Sequence, residues 1–208
     1  MKLRYIFFLV FVIAAFSSKA QWTNRYPKLD AYSHHVYVEG YELPVLTSGP
    51  AYPSVSPLGN KIAFSAKGYI WLLDEDSGIA SRITSSGDLD YKPQWSNDGK
   101  KLVFIRDNYS DTYIVLLDLE TKMETILVDE KAMDLDPVFS KDDKYVYYSS
   151  GLSGNMDIWR INVETKEKTC ISDKKGLKRK PILSEQDDLL YIKKFRDDDY
   201  IELMDTTG

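Results

Sequence analysis

Short runs in which apolar and other side chains alternate are separated along this chain by clusters of Gly, Asn, Asp and Ser, and the arrangement comes round four times. Each round opens with a Pro, then a second residue, an apolar residue and a Ser. Pro53-Ser54-Val55-Ser56 leads through Gly59-Asn60-Lys61 into Ile62-Ala63-Phe64, and Pro93-Gln94-Trp95-Ser96 leads through Asn97-Asp98-Gly99-Lys100 into Leu102-Val103-Phe104. Weaker copies run from Pro137-Val138-Phe139-Ser140 through Asp142-Asp143-Lys144 to Tyr145-Val146-Tyr147, and from Pro181-Ile182-Leu183-Ser184 through Asp187-Asp188 to Leu189-Leu190-Tyr191. Alternation at period two is that of a β-strand whose successive side chains face opposite sides of a sheet. The polar clusters supply the turns, with Gly99 able to take positive φ and Asp98 able to bond the local backbone.

The four prolines are 40, 44 and 44 residues apart, and a second landmark, Asp74, Asp118, Asn162 and Asp205, repeats at 44, 44 and 43. A period in the low forties built from short strands is the signature of a β-propeller blade, which buries its faces only by stacking on neighbours. The expected fold is all-β, a β-propeller of four-stranded blades that start near residues 53, 93, 137 and 181 and fill 41–208. In the second blade, strands are predicted at 93–96, 101–106, 112–118 and 123–128. About four blades are present, and the last reaches only the turn after its third strand, so the ring is expected to be incomplete and the chain to be part of something longer. Tyr41 to Thr47 matches the outer-strand phase of Ile79 to Thr84 and offers a strand that would complete the last blade. An open arc leaves unpaired edges and an uncovered apolar face, which invite self-association.

The turn after each third strand, Glu75-Asp76-Ser77-Gly78, Leu119-Glu120-Thr121-Lys122 or Val163-Glu164-Thr165-Lys166, recurs at one phase of the repeat. Its acidic residues are therefore read as turn formers. Asp74 to Gly78 offers oxygens to calcium but lacks the later bidentate Glu of the twelve-residue calcium loop. Trp71, Trp95, Tyr147, Tyr148 and Trp159 fall at repeat positions, where large rings fill the space between sheets. Variable loops at the blade ends are the expected binding positions, namely Asp107, Asn108, Tyr109, Ser110 and Asp111 in one blade and Ser153, Gly154, Asn155 and Met156 in the next.

The first 20 residues read as a secretory signal peptide: Lys2 and Arg4, an apolar run from Tyr5 to Phe16, then Ser18-Lys19-Ala20 before Gln21. The run is short of the roughly 20 residues a spanning helix needs, so no stable membrane span is expected after cleavage. Residues 21–40 form a lead-in. The formal charge of −5 falls to −8 once the three basic residues of that segment are removed. An acidic chain argues against a nucleic-acid partner, and the basic run Lys174, Lys175, Lys178, Arg179, Lys180 is predicted to be a solvated loop. Cys170 is the single cysteine, so no disulfide forms within the chain. Its alternating strand predicts a buried small hydrophobe rather than a nucleophile. His34 and His35 are the two histidines; adjacent in a strand they point to opposite faces and do not share a metal easily. No Gly-x-Ser-x-Gly elbow occurs. No cofactor or metal is expected.

Pro93-Gln94-Trp95-Ser96-Asn97-Asp98-Gly99-Lys100 and Asp157-Ile158-Trp159 resemble the TolB-like propeller repeat, and the resemblance spans Tyr41 to Gly208. It implies an exported, periplasmic or secreted chain. Family members act as interaction platforms at the cell envelope or precede the catalytic domains of secreted peptidases and amidohydrolases, and the segment from His34 to Pro50 is similar to the opening of amidohydrolase-linked propellers. The expected function is a non-catalytic scaffold for a protein or peptide. The alternative is a substrate-gating propeller of a hydrolase whose catalytic domain is not in this chain. Sugar binding through exposed aromatics is a third, weaker reading.

Overall fold

A computed structural model describes residues 49–172, 176–184, 188–195 and 198–204. The predicted signal peptide, His34, His35, the strand offered by 41–47, Lys174, Lys175 and the turn at 205–208 lie outside the described residues.

The described chain is all strand and turn. Blade one comprises β1 (Ala51–Val55), β2 (Lys61–Ala66), β3 (Tyr69–Asp74) and β4 (Ile79–Arg82); blade two comprises β5 (Leu89–Trp95), β6 (Lys101–Asp107), β7 (Thr112–Asp118) and β8 (Glu124–Val128). Blade three comprises β9 (Asp134–Phe139), β10 (Tyr145–Ser150), β11 (Asp157–Asn162) and β12 (Lys168–Cys170), and blade four β13 (Leu177–Leu183), β14 (Leu189–Phe195) and β15 (Asp198–Met204). Every sheet is an antiparallel meander whose spatial order is its sequence order. Blades pack in succession, and no packing of sheet four on sheet one closes a ring among the described residues. The inner strands begin at residues 51, 89, 134 and 177, two to four residues before the predicted starts near 53, 93, 137 and 181. The prolines lie inside these strands, beyond a bulge, and do not open them.

The repeat's serines and acids build the turns. Ser96 Oγ–H donates to Asp98 Oδ1 (2.6 Å) and Ser96 Oγ accepts the Lys101 N–H (2.9 Å). Ser140, Asp142 and Tyr145 repeat this at 2.7 and 2.9 Å. At the second landmark, Asp74 Oδ1 accepts the N–H and O–H of Ser77, Asp118 Oδ1 those of Thr121, and Asn162 Oδ1 the Thr165 N–H. These bonds hold the Asp74 and Asp118 carboxyls below their ordinary range, the backbone N–H of Ser77 or Thr121 contributing most.

Alternation assigns side chains to the two blade faces. Leu102, Phe104, Val115 and Leu117 of blade two meet Ala63 and Ile70 of blade one. Val103, Ile114 and Leu116 meet Val146, Tyr148 and Ile161 of blade three. Tyr147 and Ile158 of blade three meet Leu189 and Tyr191 of blade four. A middle blade thus buries both faces, which is why its strands read as nearly continuous apolar runs.

Candidate functional site

One irregularity is shared by all four inner strands. The residue before each proline, Tyr52, Lys92, Asp136 and Lys180, has a left-handed backbone with φ of 53°, 53°, 53° and 55°. Pairing with the next strand slips at the same place. Proline has no N–H for the ladder, and the slip is a β-bulge that bends the strand and re-aims its side chains. Two serines support the strained residues: the Lys92 N–H donates to Ser65 Oγ and the Lys180 N–H to Ser149 Oγ, both at 3.1 Å. Each serine belongs to the preceding blade, so each bond also ties two blades together. Ile105 stands at the equivalent place in blade two and has no hydroxyl to offer Asp136.

The four bulges line a groove of about 360 Å³ on the inner side of the arc. Pro53, Pro137, Val138, Pro181 and Ile182 give it apolar walls, and Tyr52, Lys92, Gln94, Asp136 and Lys180 its polar groups. Lys92 Nζ bonds Asp136 Oδ1 at 2.8 Å and lies 5.7 Å from the Tyr52 ring centre. Asp136 Oδ2 is buried without a hydrogen-bond partner among the described residues. Lys180, one blade further on, is exposed. This arrangement can hold a chain segment against prolines and aliphatics and can offer it a cation. Among the described residues, no group of three or more His, Cys, Asp and Glu is placed to hold a metal.

The loops singled out by sequence are equivalent to each other. Both join the second and third strands of their blades, at the opposite end of the strands from the Ser-stapled turns. Many of their polar atoms serve the loops themselves. Asp107 is buried, its Oδ1 accepting the Tyr109 N–H (2.8 Å). Asn108 Oδ1 accepts the N–H groups of Ser110 and Asp111. Ser153 donates to Asp157, and Asn155 Nδ2 to the Gly176 carbonyl (2.6 Å). Gly154 takes φ of 87°. Tyr109, 60% exposed, is the large side chain of this set that projects, with the smaller Ser110 and Ser153 also exposed. Met156 does not present itself to a partner: it is fully buried with Tyr91, Ile105, Met133, Leu135 and Leu177, where a flexible thioether fills the space between blades.

The basic run also needs correction. Lys178, Arg179 and Lys180 belong to β13 and not to a loop. Lys178 Nζ lies 3.0 Å from Asp157 Oδ1 with both side chains fully buried; a buried ammonium requires such a partner. Blade two solves the equivalent position with the opposite sign, Asp90 being held by Arg106 Nε and Nη2 at 2.7 and 3.0 Å. Burial alone would lower the Arg106 pKa, but Asp90 and Glu124 outweigh it and raise it above the usual range. Local sequence gave no sign of these pairs, because the partners lie 16 and 21 residues away. The groove was missed for a related reason: only pairing register exposes the pre-proline bulge. Cys170 is half-buried, not buried, with Sγ 3.7 Å from the Ser172 carbonyl.

Four-stranded meanders stacked about a shared inner groove define a propeller-type repeat protein. The chain belongs to the TolB beta propeller domain family, whose model matches residues 9–208. Its fold is similar to TolB from Acinetobacter baumannii (20% identity, TM-score 0.70, covering 77% of this chain and 42% of that one). It is also similar to an oligogalacturonate lyase in complex with manganese (16%, 0.63, 78% and 53%). A third likeness is to a puromycin-hydrolyzing peptidase of Mycobacterium tuberculosis (14%, 0.61, 76% and 30%). The chain thus spans about a third to a half of these proteins. No curated protein matches its sequence. Among the described residues no helix is long and apolar enough to cross a membrane.

Proposed function

We propose that the chain is an exported, non-catalytic scaffold that holds an extended peptide segment of a protein partner in the groove along its inner strands. The observation that carries this reading is the set of four pre-proline bulges, which turns one residue of every blade towards a common groove. Prolines and aliphatics give such a segment an apolar bed. The exposed Lys180 ammonium provides an anchor for a carboxylate, and Lys92 and Asp136, paired through one carboxylate oxygen, set the polarity beside it. The loop carrying Tyr109 is a second contact point, outside the groove.

Photo-crosslinking in the native host tests this. A benzoylphenylalanine at Ile182, on the groove wall, is expected to give a discrete protein adduct that Lys180→Glu weakens. An adduct formed only from position 109 moves the site to the loops, and none from either position removes the scaffold reading. Gating of a hydrolase is the second reading. It is supported by a fold shared with a peptidase of which this chain spans 30%. Coding DNA that continues in frame beyond Gly208 into a hydrolase domain would favour it over the free scaffold.

A further inference from the structure

The groove does not end at the bulges. Val138 and Ile182, two of its wall residues, also line a second hollow of about 400 Å³ that continues along the inner strands towards the Ser-stapled turns. The repeat explains why. Past the bulge each inner strand resumes its alternation, so the residue after the proline turns to the groove and the next one packs between blades. That next set is Trp95, Phe139 and Leu183, whose flanks make the bed of the hollow. Trp95 and Phe139 are buried, and the Trp95 indole N–H is tied to the Ser54 carbonyl at 2.9 Å. The bed is therefore preformed, and filling it costs little reorganisation. Most of its lining comes from blades two and three, each of which packs between two described neighbours.

Charge and hydrogen bonding say what the two compartments accept together. The chain carries a formal charge of −5, yet the ionisable side chains of the two linings are Lys92, Lys141 and Lys180 against Asp136 alone. Lys92 already engages Asp136 at 2.8 Å, so the surplus is positive: Lys180 beside the bulges and Lys141 beside the turns. Asp136 Oδ2, buried without a hydrogen-bond partner among the described residues, needs a donor. An anion made only of acceptors leaves it unmet, whereas a main-chain N–H meets it. Resting on the peptide-scaffold reading above, we infer that the partner segment is acidic and carries one large apolar side chain, which seats in the second hollow while a carboxylate of the segment meets Lys180 and a main-chain N–H meets Asp136 Oδ2. Along an extended chain, the step from Lys180 to Leu183 sets the acid and the apolar anchor about three residues apart. The buried anchor supplies most of the affinity and the charges fix the register.

The test presents a random dodecapeptide phage library to the full chain as the cell produces it, then titrates the enriched peptides, made synthetically, by fluorescence anisotropy. Enriched sequences are expected to carry Phe, Trp, Leu or Ile about three residues from an Asp or Glu. Replacing that apolar residue of the peptide by Ala should weaken binding about tenfold or more, a comparison that needs no altered protein. Ile182→Asp, which puts a charge on the exposed wall shared by both compartments, should weaken it similarly, and Lys180→Glu should act through the peptide's acid. The outcomes separate the two levels of the argument. A peptide that Lys180→Glu weakens, but whose apolar residue is replaced without loss, overturns the anchor and leaves the groove as a peptide site. Enriched sequences that are basic overturn the proposal. Peptides that bind both variants as tightly as the unaltered chain, or a library that enriches nothing, overturn the groove reading with it.

Discussion

The junction between blades one and two and the junction between blades two and three are built on the same apolar frame but locked by different polar devices. At the first, Trp95 Nε1–H donates to the Ser54 carbonyl (2.9 Å) and the Lys92 N–H to Ser65 Oγ (3.1 Å). The turns there meet through Leu58, whose side chain lies against Gly99. At the second, the Asp143 carboxylate accepts the Asn97 N–H, the Asn97 Nδ2–H and the Asp98 N–H at 2.7, 2.8 and 2.9 Å. The second lock does not transfer to the first junction: blade two has Gly99 where blade three has Asp143, and blade one has Pro57, without an N–H, where blade two has Asn97. Stacking thus fixes the interface while the turn residues remain free to choose how it is fastened.

The core test of this comparison is the largest. Phe104→Ala removes a fully buried ring from the first junction and is expected to cost about 3–5 kcal/mol in chemical denaturation; a loss below 1 kcal/mol would deny the apolar frame its leading place. Asp143→Ala, which strips three donors at the second junction, should cost about 2 kcal/mol. Asp143→Asn, tolerant of the left-handed φ of 59° and still an acceptor, should cost less by the same measurement. Gly99→Ala addresses the first junction's turn. A Cβ there would sit 2.7 Å from Leu58 Cδ1 at a φ of 69°, and the expected loss is about 1 kcal/mol. Adding Leu58→Ala should return the steric part of that loss; if it returns none, backbone strain alone is responsible.

A smaller effect follows from pH. Burial would raise the Asp98 and Asp142 carboxyls, but the hydroxyls of Ser96 and Ser140 and the N–H groups of Lys100 and Lys144 outweigh it and hold both below their ordinary value. Groups depressed in the folded state stabilise it above the unfolded value of about 4, and that stability is lost as pH falls through the folded value. Blade one has Leu58 at this position. Melting temperatures between pH 5 and 2.5 should therefore fall less steeply in Asp142→Asn than in the unaltered chain. Smallest of all, Tyr148 takes Phe104's place at the second junction, but its hydroxyl is buried without a hydrogen-bond partner among the described residues. Burial, reinforced by Asp134 and Glu130, raises its pKa. Tyr148→Phe is expected to leave the melting temperature unchanged or slightly raised; a clear drop would reveal a bond made through water.

The blade frame was legible because a meander's information is local. Each Pro, Ser and turn acid acts within a few residues of itself, so Ser96 with Asp98, or Asp118 with Thr121, could be read from spacing alone. What remained hidden depended on pairing between sequence-distant segments. Lys178 looked solvated because Asp157 lies 21 residues away. Met156, in its loop, looked available to a partner because the residues that bury it belong to three blades. The groove residues Lys92 and Asp136 are 44 apart, and nothing in either neighbourhood shows that a bulge turns them together.

Because every described sheet is one uninterrupted stretch of chain, no blade waits on a remote segment to form its ladders. Such a molecule approximates a one-dimensional series, in which cooperativity passes from neighbour to neighbour. Low contact order favours rapid assembly, and amide hydrogen exchange should be graded along the arc. Protection would be deepest in β6, β7 and β10, which are flanked on both sides, and would fade towards β1 and β15, where opening one blade breaks a single junction.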